Sequence, residues 1–421
     1  MVAALLLGGT EKLPRDRLPD YGPGIELVGI IGDPATSLPD VIASHRVDLV
    51  VDLSDQPIVD ARSRMRLAAH ALAAGVPYAG ADFRFDPPPR PRVATKPTVA
   101  IIATGKRAGK TAVSGELARL LRDRGTPPVV VTMGRGGPAE PELIDPTSAD
   151  LSPAALTALA ATGRHAASDH FEDALTAGVV TVGTRRCGGG LAGAPVDSTL
   201  AAGVALANGR PEPIMLLEGS GAAVPPVHAD ATICLVPDTD DPELVTGYLG
   251  AYRVLLSDLV VITMVAASSA VSGDRAPKAG LLLEEGVRGV APGVKVAHIV
   301  LRPFPLEPIS GRRVFYATTA PASARADLVD HLEGEHGGRI VGISHHLADR
   351  QRLAADLETA GEAEILLVEL KAAAVDLAAS VSVARGMRVV FCDNRVHSVR
   401  GDGTFPELAL LTADLAVQRH T

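Results

Sequence analysis

A glycine-rich segment with two lysines follows an apolar run near residue 100. The run Val99–Thr104 is apolar or small and predicts a buried strand, the segment Gly105–Thr111 reads GKRAGKT, and an amphipathic pattern then continues to about Arg124. In such a strand–turn–helix unit the backbone N–H groups and the helix N-terminus face a phosphate. The lysine reaches the β- and γ-phosphate oxygens, and the threonine hydroxyl can ligate Mg²⁺. The segment therefore predicts a nucleoside triphosphate site.

The lysine content of the chain supports this interpretation. Only seven of the 40 basic residues are lysines, and two of them, Lys106 and Lys110, fall in this one loop. A compact ammonium group suits a phosphate cradle better than a planar guanidinium does. The usual spacing places a glycine where Thr104 stands, so the loop is a variant. The predicted cradle consists of Thr104, Gly105, Lys106, Arg107, Ala108, Gly109, Lys110 and Thr111.

A second apolar strand, Ile214–Glu218, ends in a carboxylate and the tight turn Gly-Ser-Gly. A carboxylate at that place can hold Mg²⁺, or its water shell, opposite the phosphate loop. Thr111 and Glu218 are therefore the predicted metal-binding pair. The alternative is a strand-end glutamate in a polar turn.

Arginines close to glycines follow two further strands and predict an anionic substrate. Glycines let the backbone approach an anion closely, a guanidinium can clamp it in a bidentate manner, and a cationic glycine-rich turn forms an anion-binding concavity. A solvated arginine or a flexible hinge is the alternative at each place. The candidates are Arg135, Gly136, Arg185, Arg186, Gly188 and Gly189.

Three other sites in the sequence give weaker indications of a functional role. The segment Ser168–Asp173 predicts a capped helix start with early acids, in which Asp169 or His170 could contact the substrate. Cys187 is more simply explained as a small buried thiol than as a nucleophile. The pair His345–His346 has no carboxylate at metal-ligand spacing and is predicted to lie on the surface.

The composition of the whole chain excludes several classes of protein. A net charge of −9 and an aromatic content of 3% argue against nucleic-acid binding. No apolar run approaches the roughly 20 residues that span a bilayer, and the N-terminus lacks the basic region of a signal peptide. Three scattered cysteines favour a reducing cytoplasm and argue against a disulfide framework. The sequence does not distinguish a monomer from a homodimer.

The strand and helix patterns predict an α/β protein with three parts. Among the predicted elements are a strand over Val179–Gly183 and a helix that carries Ala372–Ala374. We expect a small Rossmann-like domain over 1–94, a P-loop domain with a doubly wound, mostly parallel sheet over 95–308, and an α/β region over 309–421. The Pro-rich stretch Phe85–Pro91 is predicted to be a linker that continues neither a strand nor a helix. After the predicted strand Leu259–Val265 the chain has no NKxD or TKxD motif, so ATP is favoured over GTP.

Four segments together resemble the cyclic 2,3-diphosphoglycerate synthetase family. They cover about the central half of the chain and read ATGKRAGKTAV, VTMGRGGPAEPELI, SDHFEDALTAGVVTVGTRRCGGGLAG and LLEGSGAAVPPVHAD. The block with TRRCGGGLAG is much more specific than the phosphate loop. The resemblance implies ATP-dependent closure of a phosphoanhydride in 2,3-bisphosphoglycerate, with Mg²⁺, release of ADP and phosphate, and a cytoplasmic location. LLEGSGAA is also similar to a strand-end turn of dethiobiotin synthetase, a related P-loop branch.

In that chemistry Lys110 and Gly109 would hold the β- and γ-phosphates, and Lys106 would neutralise the transferring phosphoryl group. Arg135, Arg185 and Arg186 would offset the repulsion between the two substrate phosphates. A kinase that makes 2,3-bisphosphoglycerate needs the same cradle and remains an alternative. A regulatory nucleotide switch or metallochaperone of the same P-loop branch is a third hypothesis, although the Cys/His clusters and guanine specificity of that class are not visible here.

Overall fold

The computed structural model describes residues 1–7, 21–28, 34–162, 168–265, 276–370 and 385–420. The N-terminal part contains two small sheets, in which β1 pairs with β2 in parallel, β3 pairs with β4 in parallel, and β5 is antiparallel to β4. The elements of this part are β1 (Ala3–Leu5), β2 (Glu26–Val28), α1 (Pro34–His45), β3 (Val50–Val51), α2 (Ala61–Ala73), β4 (Tyr78–Ala79) and β5 (Arg84–Phe85). Among the described residues, no helix is long and apolar enough to cross a membrane.

A thirteen-stranded sheet dominates the rest of the described chain. Its strands are β6 (Thr98–Ala103), β7 (Pro128–Gly134), β8 (Glu142–Ile144), β9 (Thr181–Cys187), β10 (Asp197–Ser198), β11 (Ile214–Glu218), β12 (Ala231–Pro237), β13 (Leu259–Thr263), β14 (Lys295–Pro305), β15 (Arg313–Ala317), β16 (Arg339–Ser344), β17 (Ile365–Glu369) and β18 (Arg388–Gly401). The helices between and after them are α3 (Lys110–Asp123), α4 (Pro153–Ala161), α5 (Asp169–Ala177), α6 (Leu200–Asn208), α7 (Pro242–Thr246), α8 (Ala251–Leu255), α9 (Ala276–Val290), α10 (Arg325–His336), α11 (Arg350–Glu358) and α12 (Phe405–Arg419).

The strand order places the loops that follow β9, β7, β11 and β6 next to one another, at the carboxyl ends of these strands. The order runs β10-β9-β7-β11-β6-β12-β13-β14-β18-β17-β15-β16, and β8 pairs with β9. The neighbours β9, β7, β11, β6 and β12 are parallel, so their carboxyl ends lie together. Strands β6, β11, β12 and β13 are buried along their whole length, as expected for parallel strands with both faces covered. A mostly parallel α/β sheet is therefore confirmed.

Two long strands, β14 and β18, lie side by side in the middle of the sheet and connect its two halves. β14 and β18 are antiparallel from Ala297 opposite Gly401 to Pro305 opposite Cys392. After β18 the chain returns to the P-loop strands, because α12 packs against β6, β12 and α3. Its apolar residues Phe405, Leu408 and Ala409 lie in the same core as β6 and α3.

The structure corrects several sequence-based expectations. β9 was expected to end at Gly183 but continues to Cys187, because Arg186 and Cys187 pair with the short antiparallel strand β10. Phe85 belongs to β5, so the predicted linker begins within a strand. His345 and His346 are partly exposed, and each has a polar partner: His345 Nδ1 bonds to the carbonyl of Ala320, and His346 Nδ1 pairs with Asp356. The helix expected around 372–374 lies outside the described residues.

Candidate active site

The glycine-rich loop turns sharply into α3 at Gly109. This residue has φ of 86° and occupies the N-cap position of α3, a left-handed conformation that glycine adopts without strain. A Cβ at Gly109 would lie 2.8 Å from Leu301 Cδ1, so the loop also packs closely on β14. Lys110 Nζ donates hydrogen bonds of 3.1 Å to the carbonyls of Gly105 and Gly221. The lysine thereby lies between the loop and the turn that follows β11.

The variant residue Thr104 makes a contact that a glycine could not make. Its hydroxyl donates to Asp240 Oδ2 over 2.5 Å, and its backbone N–H donates to the carbonyl of Leu235. Leu235 lies in β12, and Asp240 follows that strand. Thr104 therefore attaches the start of the loop to the neighbouring strand end. The side chains of Lys106 and Arg107 are exposed at the loop tip, and Arg107 has φ of 61°.

The predicted metal-binding pair is in direct contact. Thr111 Oγ1 donates to Glu218 Oε1 over 2.9 Å, and Glu218 is 1% exposed. A further carboxylate, that of Asp173 on α5, lies against Glu218 and is fully buried. Glu218 Oε2 and both Asp173 carboxylate oxygens are buried without a hydrogen-bond donor. Three hard oxygen atoms without donors form a suitable donor set for a divalent cation.

The buried charges around Glu218 change one another's protonation. Burial raises the pKa of Glu218 to about 7, and the charge of Asp169 acts in the same direction. Burial, together with the charge of Glu218, also raises the pKa of Asp173 well above the ordinary value. Burial lowers the pKa of Lys110, against the opposing effect of the Glu218 and Asp169 carboxylates. Such opposed shifts in one cleft are typical of a functional site.

A polar cavity of about 160 Å³ lies beside this cluster. Its lining comes from the ends of β7 and β9, the start of α5 and the turn after β11. The residues are Thr132, Gly134, Arg135, Gly136, Gly137, Ser168, Asp169, His170, Thr184 and Ser220. Loops that are far apart in the sequence therefore meet in one cavity, which contains the predicted residues Arg135, Gly136 and Asp169.

The two arginines of the TRRC segment point in different directions, as strand alternation requires. Arg186 is 4% exposed, and its guanidinium donates to the carbonyls of Gly188 (2.5 Å) and Ser220 (2.8 Å). Burial and the nearby charge of Arg135 lower the pKa of Arg186, so these two guanidinium groups lie near each other. Arg185 instead donates to the carbonyl of Gly137 over 2.6 Å.

Gly188 and Gly189 lie close to Arg186. The Cys187 thiol and the predicted helix cap at Ser168 differ from the sequence-based expectation. A Cβ at Gly189 would lie 3.7 Å from Arg186 Nη1. Cys187 is exposed. Ser168 does not cap α5 with its side chain; its hydroxyl lies 3.1 Å from His170 Nδ1, and His170 Nε2 lies 3.6 Å from Glu142. The cap is therefore replaced by a contact within the cavity wall.

Sequence reasoning missed Asp173 and Ser220 as site residues. Asp173 follows Asp169 by four residues, so both lie on one face of α5, and this i, i+4 spacing was a usable signal. Ser220 contributes through its carbonyl, which accepts from Arg186, and through its hydroxyl, 3.2 Å from the same guanidinium. A backbone acceptor leaves no signal in the residue type.

The fold and the glycine-rich loop define a P-loop nucleotide-binding protein. Family models of cyclic 2,3-diphosphoglycerate synthetase match the chain in three parts: the N-terminal domain over residues 1–86, the P-loop domain over 98–300 and the C-terminal domain over 305–395. The chain therefore belongs to the cyclic 2,3-diphosphoglycerate synthetase family, as the sequence motifs indicated.

Relatives of that name are similar over almost the whole chain. The one from Rubrobacter xylanophilus is 45% identical over 408 residues, which is 97% of this chain and 90% of the relative. The one from Thermococcus gammatolerans is 42% identical and covers 94% of this chain and 88% of the relative. The one from Methanothermus fervidus is 39% identical and covers 94% and 86%.

Proposed function

We propose that this protein uses ATP to close an intramolecular phosphoanhydride in 2,3-bisphosphoglycerate, giving cyclic 2,3-diphosphoglycerate, ADP and inorganic phosphate. The observation that carries the proposal is that Arg186 and Lys110 donate to the neighbouring carbonyls of Ser220 and Gly221, while Arg135 lines the same cavity as Ser220. A cationic site for a polyanionic substrate then adjoins a phosphate cradle. The names of the relatives support the same reaction.

On the nucleotide side, the residues from Thr104 to Thr111 bind the triphosphate. Gly109 and the first N–H groups of α3 face the phosphates, and Lys110 neutralises the β- and γ-oxygens. Lys106 is exposed at the loop tip, where a flexible ammonium reaches the phosphoryl group during transfer. These groups position the nucleotide and offset its charge, which is most of what phosphoryl transfer requires.

The donor set of Thr111, Glu218 and Asp173 fits Mg²⁺. The oxygens without donors on Glu218 and Asp173 are the observation that supports this fit. When bound, Mg²⁺ would supply positive charge close to the triphosphate and would offset the charge of the leaving group. Thr111 and Glu218 hold it from the loop and from β11, and Asp173 restrains Glu218 from α5.

On the acid side, Arg135, Arg185 and Arg186 with Gly136, Gly188, Gly189 and Asp169 bind the bisphosphorylated substrate. A phosphate oxygen of the substrate attacks the γ-phosphorus of ATP, the bond to ADP breaks, and a mixed anhydride forms. The neighbouring substrate phosphate then attacks the phosphorus of the substrate phosphate that carries the transferred group. The bond to the transferred group breaks, that group leaves as inorganic phosphate, and the ring closes. The arginines reduce the repulsion between the two phosphates, which lowers the barrier to both steps.

The two alternatives from the sequence are not favoured by the comparisons. A kinase would phosphorylate a monophosphate and release no inorganic phosphate. A regulatory switch would turn over slowly and need no bisphosphorylated acid. In the described part of the chain, no group of three or more His, Cys, Asp or Glu side chains has the arrangement of a metal-binding cluster, such as a metallochaperone carries.

The direct test is ³¹P NMR of the purified protein with ATP, Mg²⁺ and 2,3-bisphosphoglycerate. We expect new upfield anhydride resonances together with equal amounts of ADP and inorganic phosphate. Intact ATP, or ATP hydrolysis with unchanged bisphosphoglycerate signals, would contradict the proposed substrate. Consumption of 2- or 3-phosphoglycerate without phosphate release would support the kinase instead.

The proposed metal site predicts a pH dependence of cation binding. A carboxyl whose pKa is raised to about 7 is mostly protonated at pH 6, and a cation must displace that proton. We therefore expect Mn²⁺, used as a probe of the Mg²⁺ site, to bind about tenfold more weakly at pH 6 than at pH 8. Electron paramagnetic resonance of free Mn²⁺ measures this affinity.

The matched variant for this titration is Glu218→Gln, which keeps the shape of the side chain and removes its charge. We expect it to lose most Mn²⁺ binding at both pH values. Equal affinity of the unaltered protein at pH 6 and pH 8 would show that Glu218 does not bind the cation.

A further inference from the structure

Arg253 on α8 is buried in an unusual way. It is 6% exposed, and burial lowers the pKa of its guanidinium. Within the described ranges, none of the ion pairs joins Arg253 to a carboxylate. Burial of a cation without a carboxylate partner costs free energy of desolvation, so we expect its hydrogen bonds to have a specific structural role.

Those hydrogen bonds go to two loops of the active site. Arg253 Nε and Nη2 donate to the carbonyl of Ala222 over 2.9 and 2.7 Å, and Nη1 lies 3.5 Å from the carbonyl of Leu191. A Cβ at Gly193 would lie 3.0 Å from Nη2, so the glycine-rich loop closes tightly on the guanidinium. Arg253 therefore joins the loop after β9 to the turn after β11.

Arg186 connects the same two loops from the side of the cleft. It donates to the carbonyls of Gly188 and Ser220, which precede Leu191 and Ala222 by three and two residues. The turn between them also supplies the carbonyl of Gly221 to Lys110. The two arginines thus donate to carbonyls of the same two loops.

The support for Arg253 comes from the N-terminal part of the chain. Helix α8 packs against α2, and Tyr252 and Val254 lie in one core with Leu67 and Ala68. Arg66 on α2 also donates to the carbonyl of Gly289, next to the end of α9. The residues on both sides of Arg253 are therefore packed into the core that α8 shares with α2.

We propose that Arg253 is a positioning residue that locks the loops over 188–193 and 218–222 together and so holds Arg186 in place for the acid substrate. This role rests on the proposed function for the identity of the substrate. The locking of the loops itself depends only on the contacts above.

The first test measures loop locking without any substrate. Arg253→Met keeps an unbranched apolar side chain but removes the guanidinium and its hydrogen-bond donors. We expect amide hydrogen exchange over 186–193 and 218–223 to be at least tenfold faster than in the unaltered protein. Arg288→Met, which removes an arginine of α9 paired with Glu284 and Asp402, is the matched control and should leave these amides unchanged. Unchanged exchange in Arg253→Met would overturn the proposal.

The second test is a double-mutant cycle on KM for 2,3-bisphosphoglycerate. We expect Arg253→Met to raise this KM roughly tenfold with little change in KM for ATP, because displaced loops misplace the clamp. Adding Arg253→Met to Arg186→Ala should cause less than a threefold further change, since one residue acts through the other. Additive effects, or a lower kcat at unchanged KM, would overturn the positioning role.

Arg253→Lys serves if the methionine variant does not fold. It keeps the charge but replaces the fork of donors by one ammonium, so the same changes are expected at smaller size. Unaltered exchange and KM in a folded lysine variant would also overturn the proposal. Failure of the unaltered protein to turn over 2,3-bisphosphoglycerate would contradict the proposed function alone, since hydrogen exchange still decides the locking of the loops.

Discussion

Lys110→Ala is expected to lower kcat/KM for ATP by roughly 10³-fold, or about 4 kcal/mol of transition-state stabilisation. The ammonium group of Lys110 lies between the loop carbonyl of Gly105 and the turn carbonyl of Gly221. It is buried, so solvent screens its charge weakly. Initial rates of ADP release at varied ATP concentration, with 2,3-bisphosphoglycerate saturating, measure the loss.

The control is Lys295→Ala, which removes an exposed lysine from the first position of β14. We expect it to keep nearly full activity. Thermal melting checks that the Lys110 variant is folded, because the substitution leaves the buried Glu218 carboxyl without the opposing charge. Near-normal turnover by Lys110→Ala would contradict the assignment of this loop as the phosphate-binding loop.

The central strands could be predicted because their sequence pattern is local. Two of them are short apolar runs between turn signals: Thr98–Ala103 begins and ends one residue before the predicted run Val99–Thr104, and Ile214–Glu218 has the predicted bounds. The predicted strand over 179–183 was wrong in its bounds, because its continuation to Cys187 depends on pairing with Asp197–Ser198, ten residues further along the chain. Non-local pairing of that kind has no signature in the residues being extended.

The candidate site was predictable where a residue type is rare for its position. Two lysines in one glycine-rich loop and a glutamate after a buried apolar strand were such signals. Asp173 and Arg253 carried weaker ones, since an acid in a polar helix and an arginine in an arginine-rich chain are common. Their importance comes from burial, which the fold imposes: Asp173 is fully buried against Glu218, and Arg253 is closed in by Ala222 and Gly193.

Arg186→Ala is expected to raise KM for 2,3-bisphosphoglycerate on the order of 10²-fold, about 3 kcal/mol, while KM for ATP changes by less than about threefold. Its guanidinium donates to the carbonyl of Ser220, a residue that lines the polar cavity, and lies near Arg135, whereas the nucleotide phosphates are expected against Gly109 and Lys110. Because Arg186 is almost fully buried, its charge acts on a substrate phosphate with little screening. Initial rates with each substrate varied in turn give the two KM values.

Arg352→Ala is the matched control, because Arg352 is 70% exposed on α11 and its removal should leave both KM values unchanged. Which of the two KM values rises decides whether Arg186 binds the acid substrate or the nucleotide. A rise confined to KM for ATP would place Arg186 on the nucleotide and not on the acid. Arg135→Ala would then be expected to show the larger effect on 2,3-bisphosphoglycerate, since Arg135 lines the cavity without the buried backbone contacts that hold Arg186.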